Sequence, residues 1–239
     1  MKVGQWVRLL LIGTLLLLGV GPLLSALDFG LMSELTEEEQ ARLRNGEMVY
    51  KERPVGESPW PERHMYVIIH ARPIEATAIF ADYEYQPEYV PSINRTEILK
   101  KKSPTHLVIE FELDMPFPLP KEIVINEHSL TTYGDEDNPT FFALWEQLEG
   151  KSAKVSRGSA HFEPYSQEPE SRLLTIMKYS SYVYPKSIFA ELEFVQEKAK
   201  NDLIESTKEI VHHIEYVKES KPEFLKKEVE KLKAALHGS

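Results

Sequence analysis

Two hydrophobic periodicities alternate along the chain, and each predicts a different kind of element. Residues 47–73 contain two strand patterns, "EMVYKERPV" and "RHMYVIIHARP", and the second carries apolar side chains on both faces. The next segment places Ile74, Ala78 and Ala81 at helical spacing, and Pro87 interrupts it. The first part of the pattern therefore predicts two strands followed by two short helices.

A run of strand patterns without intervening helices follows from residue 95. The alternation predicts strands at 95–101, 105–113, 123–133, 139–148, 154–163 and 172–184. Turn signals such as "KSP", "GDEDNP", "EGKS" and "SQEPES" separate them. Connections this short join antiparallel neighbours, so the pattern indicates a meander.

The periodicity then changes to that of one long helix of about 30 residues. Its apolar stripe contains Phe189, Leu192, Ala199, Leu203, Ile210, Ile214 and Val217. The stripe places Leu203 at its centre, and the opposite face is charged. Pro222 begins a second, strongly charged helix that we expect to lie on the surface.

An antiparallel sheet with one apolar face needs a cover, and the long helix supplies one. We therefore expect an α+β fold in which a curved antiparallel sheet of about seven strands wraps around a long C-terminal helix. Two short helices should follow the second strand. The expected organisation is a leader at 1–26, an N-terminal helix at 27–46, the main domain at 47–217 and a charged helix at 218–239.

Residues 47–217 resemble the START-like (Bet v 1-like, SRPBCC) superfamily of helix-grip proteins. The resemblance rests on the element order and on two segments, "RPIEATAIFADYEYQPEYVPSINRTEIL" and "RGSAHFEPYSQEPESRLLTIMKYSSYVYPKSI". The first segment is similar to the short-helix region of the family through Phe80, Asp82, Pro87 and Tyr89. "FPLPKE" is similar to the Pro-rich loop of START lipid-binding domains, although the chain has Lys-Glu where that loop has Arg-Asp.

The resemblance implies a hollow between the sheet and the long helix that takes up an apolar ligand. The candidate ligand-binding residues are Leu107, Ile109, Phe111, Phe141, Trp145, Phe162, Met177, Tyr179, Phe189, Leu192 and Leu203. Alternation places Leu107, Ile109 and Phe111 on one face of their strand. The aromatic side chains either line a pocket or fill a core.

The segment "MPFPLPKE" raises a separate question, because its prolines break strand pairing while its other residues are apolar. Met115, Phe117 and Leu119 form either a stiff lid over the hollow or a packed corner between two strands. Both interpretations remain open at this point.

Three polar side chains on predicted strands are candidates for a pocket: Glu127, His128 and His161. With Tyr179 they are the conceivable acid–base groups of a polyketide cyclase-like or hydratase-like enzyme. Single histidines more often lie on the surface or in a satisfied core, so we assign no catalytic residue. His64 and His70 are about 20 Å apart on a strand, which is too far for one metal ion. We expect neither a metal nor a cofactor.

The first residues have the layout of a secretory signal. Lys2 and Arg8 precede an apolar run, and small residues lead to a plausible cleavage site after Ala26. The alternative is an uncleaved anchor through residues 9–24, which is slightly shorter than the roughly 20 residues that span a bilayer. Thr36 and Glu39 then form the capping box of the N-terminal helix.

Charge and cysteine content narrow the function classes. The net charge of −10 argues against a nucleic-acid partner, and the absence of cysteine excludes disulfides, zinc–thiolate sites and thiol nucleophiles. We expect an exported monomer, periplasmic or secreted, that binds or transfers a hydrophobic small molecule such as a lipid or isoprenoid and contacts membranes transiently. The alternatives are a cyclase-like enzyme and an interaction scaffold whose cavity is filled by side chains.

Overall fold

The computed structural model describes residues 30–114, 121–135, 138–165, 173–186 and 192–238. The strands are β1 (Val49–Arg53), β2 (Glu62–Ile69), β3 (Ile93–Ser103), β4 (His106–Leu113), β5 (Glu122–Asp135), β6 (Asn138–Glu149), β7 (Ala153–Pro164) and β8 (Thr175–Pro185). The α-helices are α1 (Glu37–Arg44), α2 (Pro73–Phe80), α3 (Glu193–Ser220) and α4 (Pro222–His237). Two 3-10 helices span Leu31–Glu34 and Tyr83–Glu88.

All eight strands belong to one curved antiparallel sheet that does not close into a barrel. Their order is β1-β2-β8-β7-β6-β5-β4-β3, so β3 to β8 form the expected meander and β1 and β3 are the two edges. The predicted α+β class, the two short helices after β2 and the long C-terminal helix are confirmed. The sheet has eight strands where about seven were expected.

We call the face of the sheet that packs against α2, α3 and α4 the inner face. Its core joins Val67 and Ile69 of β2, Phe162 of β7 and Met177 of β8 to Ile79 of α2. The short helix α2 begins at a proline, which suits the first turn because that position needs no backbone donor. The inner face therefore carries the main core of the domain.

The outer face of the sheet is also covered at the strands β1, β2 and β8. Tyr66 and Ile176 pack there against Leu31, Leu35 and Leu43 of the N-terminal segment. The predicted capping box is confirmed, since Thr36 Oγ1 accepts from the Glu39 N–H and a Glu39 carboxylate oxygen accepts from the Thr36 N–H. Apolar residues on both faces of β2 follow from this double cover.

The long helix α3 is buried over only part of its length. Ile210, Ile214 and Val217 lie in the inner core, whereas Leu203 is half-buried and Leu192 is 43% exposed. The expectation that Leu203 is the centre of the buried stripe is wrong. Toward its N-terminus the helix lies over a small satellite cluster around Trp60 and Tyr182 instead of the main core.

The second charged helix, α4, does not lie on the surface as expected. Leu225 and Leu232 are part of the inner core, and the helix packs against α2 and α3. The apolar residues Leu225, Val229, Leu232 and Leu236 recur at steps of four, three and four, which puts them on one face. This narrow stripe is enough to dock a helix whose remaining surface is charged.

Several predictions concern residues outside the described ranges. They are the leader at 1–26, the lid residues Met115, Phe117 and Leu119, and Phe189. Within the described residues, no helix combines the length and the apolar character that a membrane span requires.

Candidate functional site

The candidate ligand residues predicted on the strands share one face of the sheet. The register pairs Leu107 with His128, and His128 with Trp145, across β4, β5 and β6. It also pairs Phe141 with Phe162, and Phe162 with Met177, across β6, β7 and β8. Ile109, Phe111 and Tyr179 have the same parity as these residues in their strands, so all of them point to the inner face.

Most of these side chains fill the core and leave little space between them. Phe141, Phe162 and Met177 are almost completely buried. Phe80 of α2 inserts among them, with ring centroids 5.3 Å from Phe162 and 6.3 Å from Tyr179. At the middle of the sheet the expected hollow is therefore occupied by the side chains of the protein itself.

The ring of Trp145 occupies the space that a side chain at Gly158, on the neighbouring strand, would need. A Cβ atom at Gly158 would lie 2.2 Å from the Trp145 ring and 2.5 Å from the Ser180 carbonyl oxygen. The indole ring also contacts Tyr179 at 5.1 Å between centroids. A glycine in a strand often marks such a close approach, and here it sets the position of the largest aromatic ring on the inner face.

An open cleft of about 510 Å³ lies beside this filled region. Its buried wall is apolar and includes Ala78 of α2, Leu107 of β4, Leu130 of β5 and Leu232 of α4. Tyr83 of the second 3-10 helix completes that wall. A cleft of this size and lining suits a small hydrophobic ligand. No residue of α3 lines it, so it does not lie where the sequence predicted, between the sheet and the long helix.

The rim of the cleft carries charged side chains of both signs. Lys231 of α4 lies 3.0 Å from a carboxylate oxygen of Glu228 and 3.5 Å from one of Asp82. Burial raises the pKa of Asp82 even though Lys231 lies beside it. Glu84 and Lys101 also line the exposed part of the rim. The cleft therefore has an apolar interior and a polar entrance.

His128 is the candidate polar residue that the structure brings into the cleft. Its side chain is 6% exposed, and neither ring nitrogen has a hydrogen-bond partner among the described residues. The Tyr83 ring lies 4.6 Å away and the Phe111 ring 5.4 Å away, between centroids. Burial in these aromatic surroundings lowers the pKa of His128 to about 3, so the imidazole is neutral at physiological pH.

The other two candidate polar groups, Glu127 and His161, lie on the outer face. Glu127 forms hydrogen bonds with Lys102 and His106. Both hydrogen bonds lower the pKa of Glu127, and the one with Lys102 has the larger effect. His161 contacts the Tyr133 hydroxyl, and burial lowers its pKa. Because side chains alternate between faces, Glu127 points away from its neighbour His128. Of the three candidate pocket groups, the structure therefore places His128 in the cleft and the other two on the opposite face.

Sequence reasoning missed the lining residues that come from the helices, chiefly Ala78, Tyr83, Leu232 and Ala235. The four-three-four spacing of apolar residues in α4 was the available signal for Leu232. Ala78 and Ala235 are small residues with no chemical signature of their own. Among the described residues, no group of three or more acidic, histidine or cysteine side chains is arranged to hold a metal ion.

The fold that these elements define is the START-like helix-grip fold, and comparison with solved structures shows the same. The chain superposes on a STAR-related lipid transfer protein from Xanthomonas axonopodis with a TM-score of 0.58 and 15% identity, over 70% of this chain and 93% of that chain. Human StAR-related lipid transfer protein 5 gives a TM-score of 0.58 and 13% identity, over 71% and 82% of the two chains.

A third similar structure is an enzyme. The Zhui aromatase/cyclase from Streptomyces sp. R1128 gives a TM-score of 0.51 and 12% identity, over 71% of this chain and 95% of that chain. No family model matches the sequence, and comparison with curated proteins gives no match either. At these identities the likeness shows the fold alone.

Proposed function

We propose that this protein binds a hydrophobic small molecule, such as a lipid or an isoprenoid-like compound, in the cleft between the sheet, α2 and α4. The observation that carries the proposal is the cleft itself, which joins an apolar buried wall to a polar rim. Similarity to two lipid transfer proteins supports the same class of ligand. Binding or transfer needs no reacting side chains.

A tryptophan in the cleft is the direct test. Ala235 lines the cleft, whereas Ala234, its neighbour on α4, is exposed. We expect the tryptophan of Ala235→Trp to fill part of the cleft. The variant should therefore bind the neutral fluorescent probe N-phenyl-1-naphthylamine, and the lipids that displace this probe, more weakly. Ala234→Trp adds the same side chain to the same helix and should bind like the unmodified protein.

Mass spectrometry of an organic extract supplies the second readout. Purified protein should carry a lipid, and the Ala235→Trp variant should carry severalfold less of it than the Ala234→Trp variant. Equal lipid content and equal probe binding in both variants would contradict the proposal.

The scaffold alternative has one observation in its favour. Phe141, Phe162 and Met177 fill the inner face so completely that part of the hollow expected from the resemblance does not exist. If neither an extracted lipid nor the probe binds, this alternative gains support. A cyclase-like reaction needs acid–base groups that act together, and nothing in the cleft favours it because Glu127 and His161 face away.

We further propose that the protein is exported through residues 1–26. The support is the sequence pattern of Lys2, Arg8, the apolar run and Ala26. N-terminal sequencing of the protein from its native source should begin at Leu27. An intact Met1 in the membrane fraction would favour the anchor through residues 9–24.

A further inference from the structure

The cleft contains one buried polar group that the protein leaves unsatisfied. Neither ring nitrogen of His128 has a partner among the described residues, although the side chain is 6% exposed. Several other polar lining residues are paired, for example Asp82 with Lys231, and the Ser103 hydroxyl with the Thr105 N–H. Buried polar groups are normally hydrogen-bonded, so an unpaired one on the wall of a cleft calls for an explanation.

The surroundings of His128 limit what its partner can be. Rings of Tyr83, Phe111 and Trp145 lie around it, at centroid distances of 4.6, 5.4 and 6.2 Å. Burial is the cause that lowers the pKa of His128, so the imidazole is neutral. A neutral imidazole offers one donor and one acceptor, which suits a small uncharged group.

We propose that His128 is the polar anchor of the cleft and selects lipids that end in an uncharged oxygen group, a hydroxyl or a carbonyl, over lipids that end in a carboxylate. The inference rests on the proposed function. A hydroxyl can donate to or accept from the imidazole, and a carbonyl can accept from it. A carboxylate in the same place would lose its hydration for a single neutral partner, which is unfavourable in apolar surroundings.

The arrangement of the cleft also gives the ligand a direction. Ala78, Leu107, Leu130 and Leu232 provide apolar contacts beside His128, while the charged residues stand at the rim. A lipid with an uncharged oxygen at one end therefore lies with that end against His128 and its hydrocarbon chain along the apolar wall.

The test compares two ligands that differ only at the head group, 1-dodecanol and dodecanoate, at neutral pH. Displacement of N-phenyl-1-naphthylamine measures the affinity of each. We expect the unmodified protein to bind dodecanol at least about tenfold more tightly. His128→Phe keeps an aromatic ring without the nitrogens. It should lower the affinity for dodecanol about fivefold to tenfold and change the affinity for dodecanoate little.

Two controls separate anchoring from a general structural effect. Ligand-free His128→Phe should melt at the same temperature as the unmodified protein or higher, because the variant no longer buries unpaired polar atoms. Leu232→Ala removes apolar contact on α4 and leaves the strand neighbours of His128 unchanged, so it should weaken the binding of both ligands by the same factor. The preference for dodecanol should survive in Leu232→Ala and shrink only in His128→Phe.

The outcomes distinguish a failed anchor from a failed binding site. If both ligands displace the probe and Ala235→Trp blocks both, but His128→Phe leaves their affinity ratio unchanged, the anchor is refuted and the binding function stands. Tighter binding of dodecanoate than of dodecanol also refutes the anchor. If neither ligand nor the probe binds, the proposed function fails and the anchor fails with it.

Discussion

The two ends of the strand order differ in how they are covered. We call the end with β2 and β8 the closed side, because these strands are covered on both faces. Their inner face packs against α3 and the inner core, and their outer face packs against the N-terminal segment. We call the end with β3, β4 and β5 the open side. The inner face of these strands lines the cleft. On their outer face, the side chains of Ile123 and Tyr133 are 45% and 52% exposed. The closed side is covered on both faces, and the open side has the space for a ligand.

The largest expected effect breaks the closed side. Ile214 of α3 is 1% exposed in the inner core, so Ile214→Asp leaves an unpaired carboxylate there. We expect a loss of more than about 4 kcal/mol in the free energy of unfolding, or failure to fold. Urea denaturation followed by circular dichroism measures it.

Leu203→Asp is the matched control on the same helix. Leu203 is half-buried and outside the inner core, so we expect a loss of about 1 kcal/mol. Similar losses for the two variants would mean that α3 is buried evenly along its length, contrary to the structure.

A second pair of variants compares the outer face at the two sides. Ile176 of β8 is fully buried under the N-terminal segment, whereas Ile123 of β5 is 45% exposed. Ile176→Thr should cost about 2–3 kcal/mol, because it removes apolar contact and buries a hydroxyl. Ile123→Thr should change stability by no more than about 0.5 kcal/mol. Both replacements keep a β-branched side chain in a strand. A difference in thermal unfolding between the two variants therefore reports only how deeply each position is buried on the outer face.

The last expected effect concerns the open side and appears only on acidification. The folded-state pKa of His128 is about 3, against roughly 6.5 in an unfolded chain. Between these values the unfolded chain binds the extra proton, so stability falls as the pH drops below 6.5. Lowering the pH from 7 to 5 should cost about 2 kcal/mol through this residue.

Calorimetry at the two pH values checks the effect. His128→Phe should lose less stability than the unmodified protein, whereas His212→Gln, at an exposed histidine, should follow the unmodified protein. His213 acts in the same direction, because burial lowers its pKa to about 4. A pH dependence that His128→Phe leaves intact would show that His128 is hydrated in the folded state.

Alternation was sufficient to predict most of the inner face. Leu107, Ile109, Phe111, Met177 and Tyr179 point inward because side chains change face at every residue of a strand. The same rule assigns His128 and Glu127 to opposite faces. The sequence analysis named both as pocket candidates from their chemistry, and their parity in the strand decides that only one of the two can point inward.

Packing between elements was beyond the reach of the sequence. Nothing in the pattern shows that Phe80 fills the middle of the hollow, because that depends on how α2 is placed over Phe162 and Tyr179. The burial of α3 depends likewise on which part of the sheet each turn meets. The cleft is the space left where the sheet, α2 and α4 meet, so no single segment of the sequence determines it.

The position of α4 bears on how this protein can acquire new ligand preferences during evolution. Glu228, Lys231 and Ala235 form part of the cleft, yet they belong to a helix that makes no strand pairing. Substitutions at these positions reshape the cleft while the backbone hydrogen bonds of the sheet stay intact. Selection can therefore act on ligand choice through one helix without changing the strand pairing of the sheet.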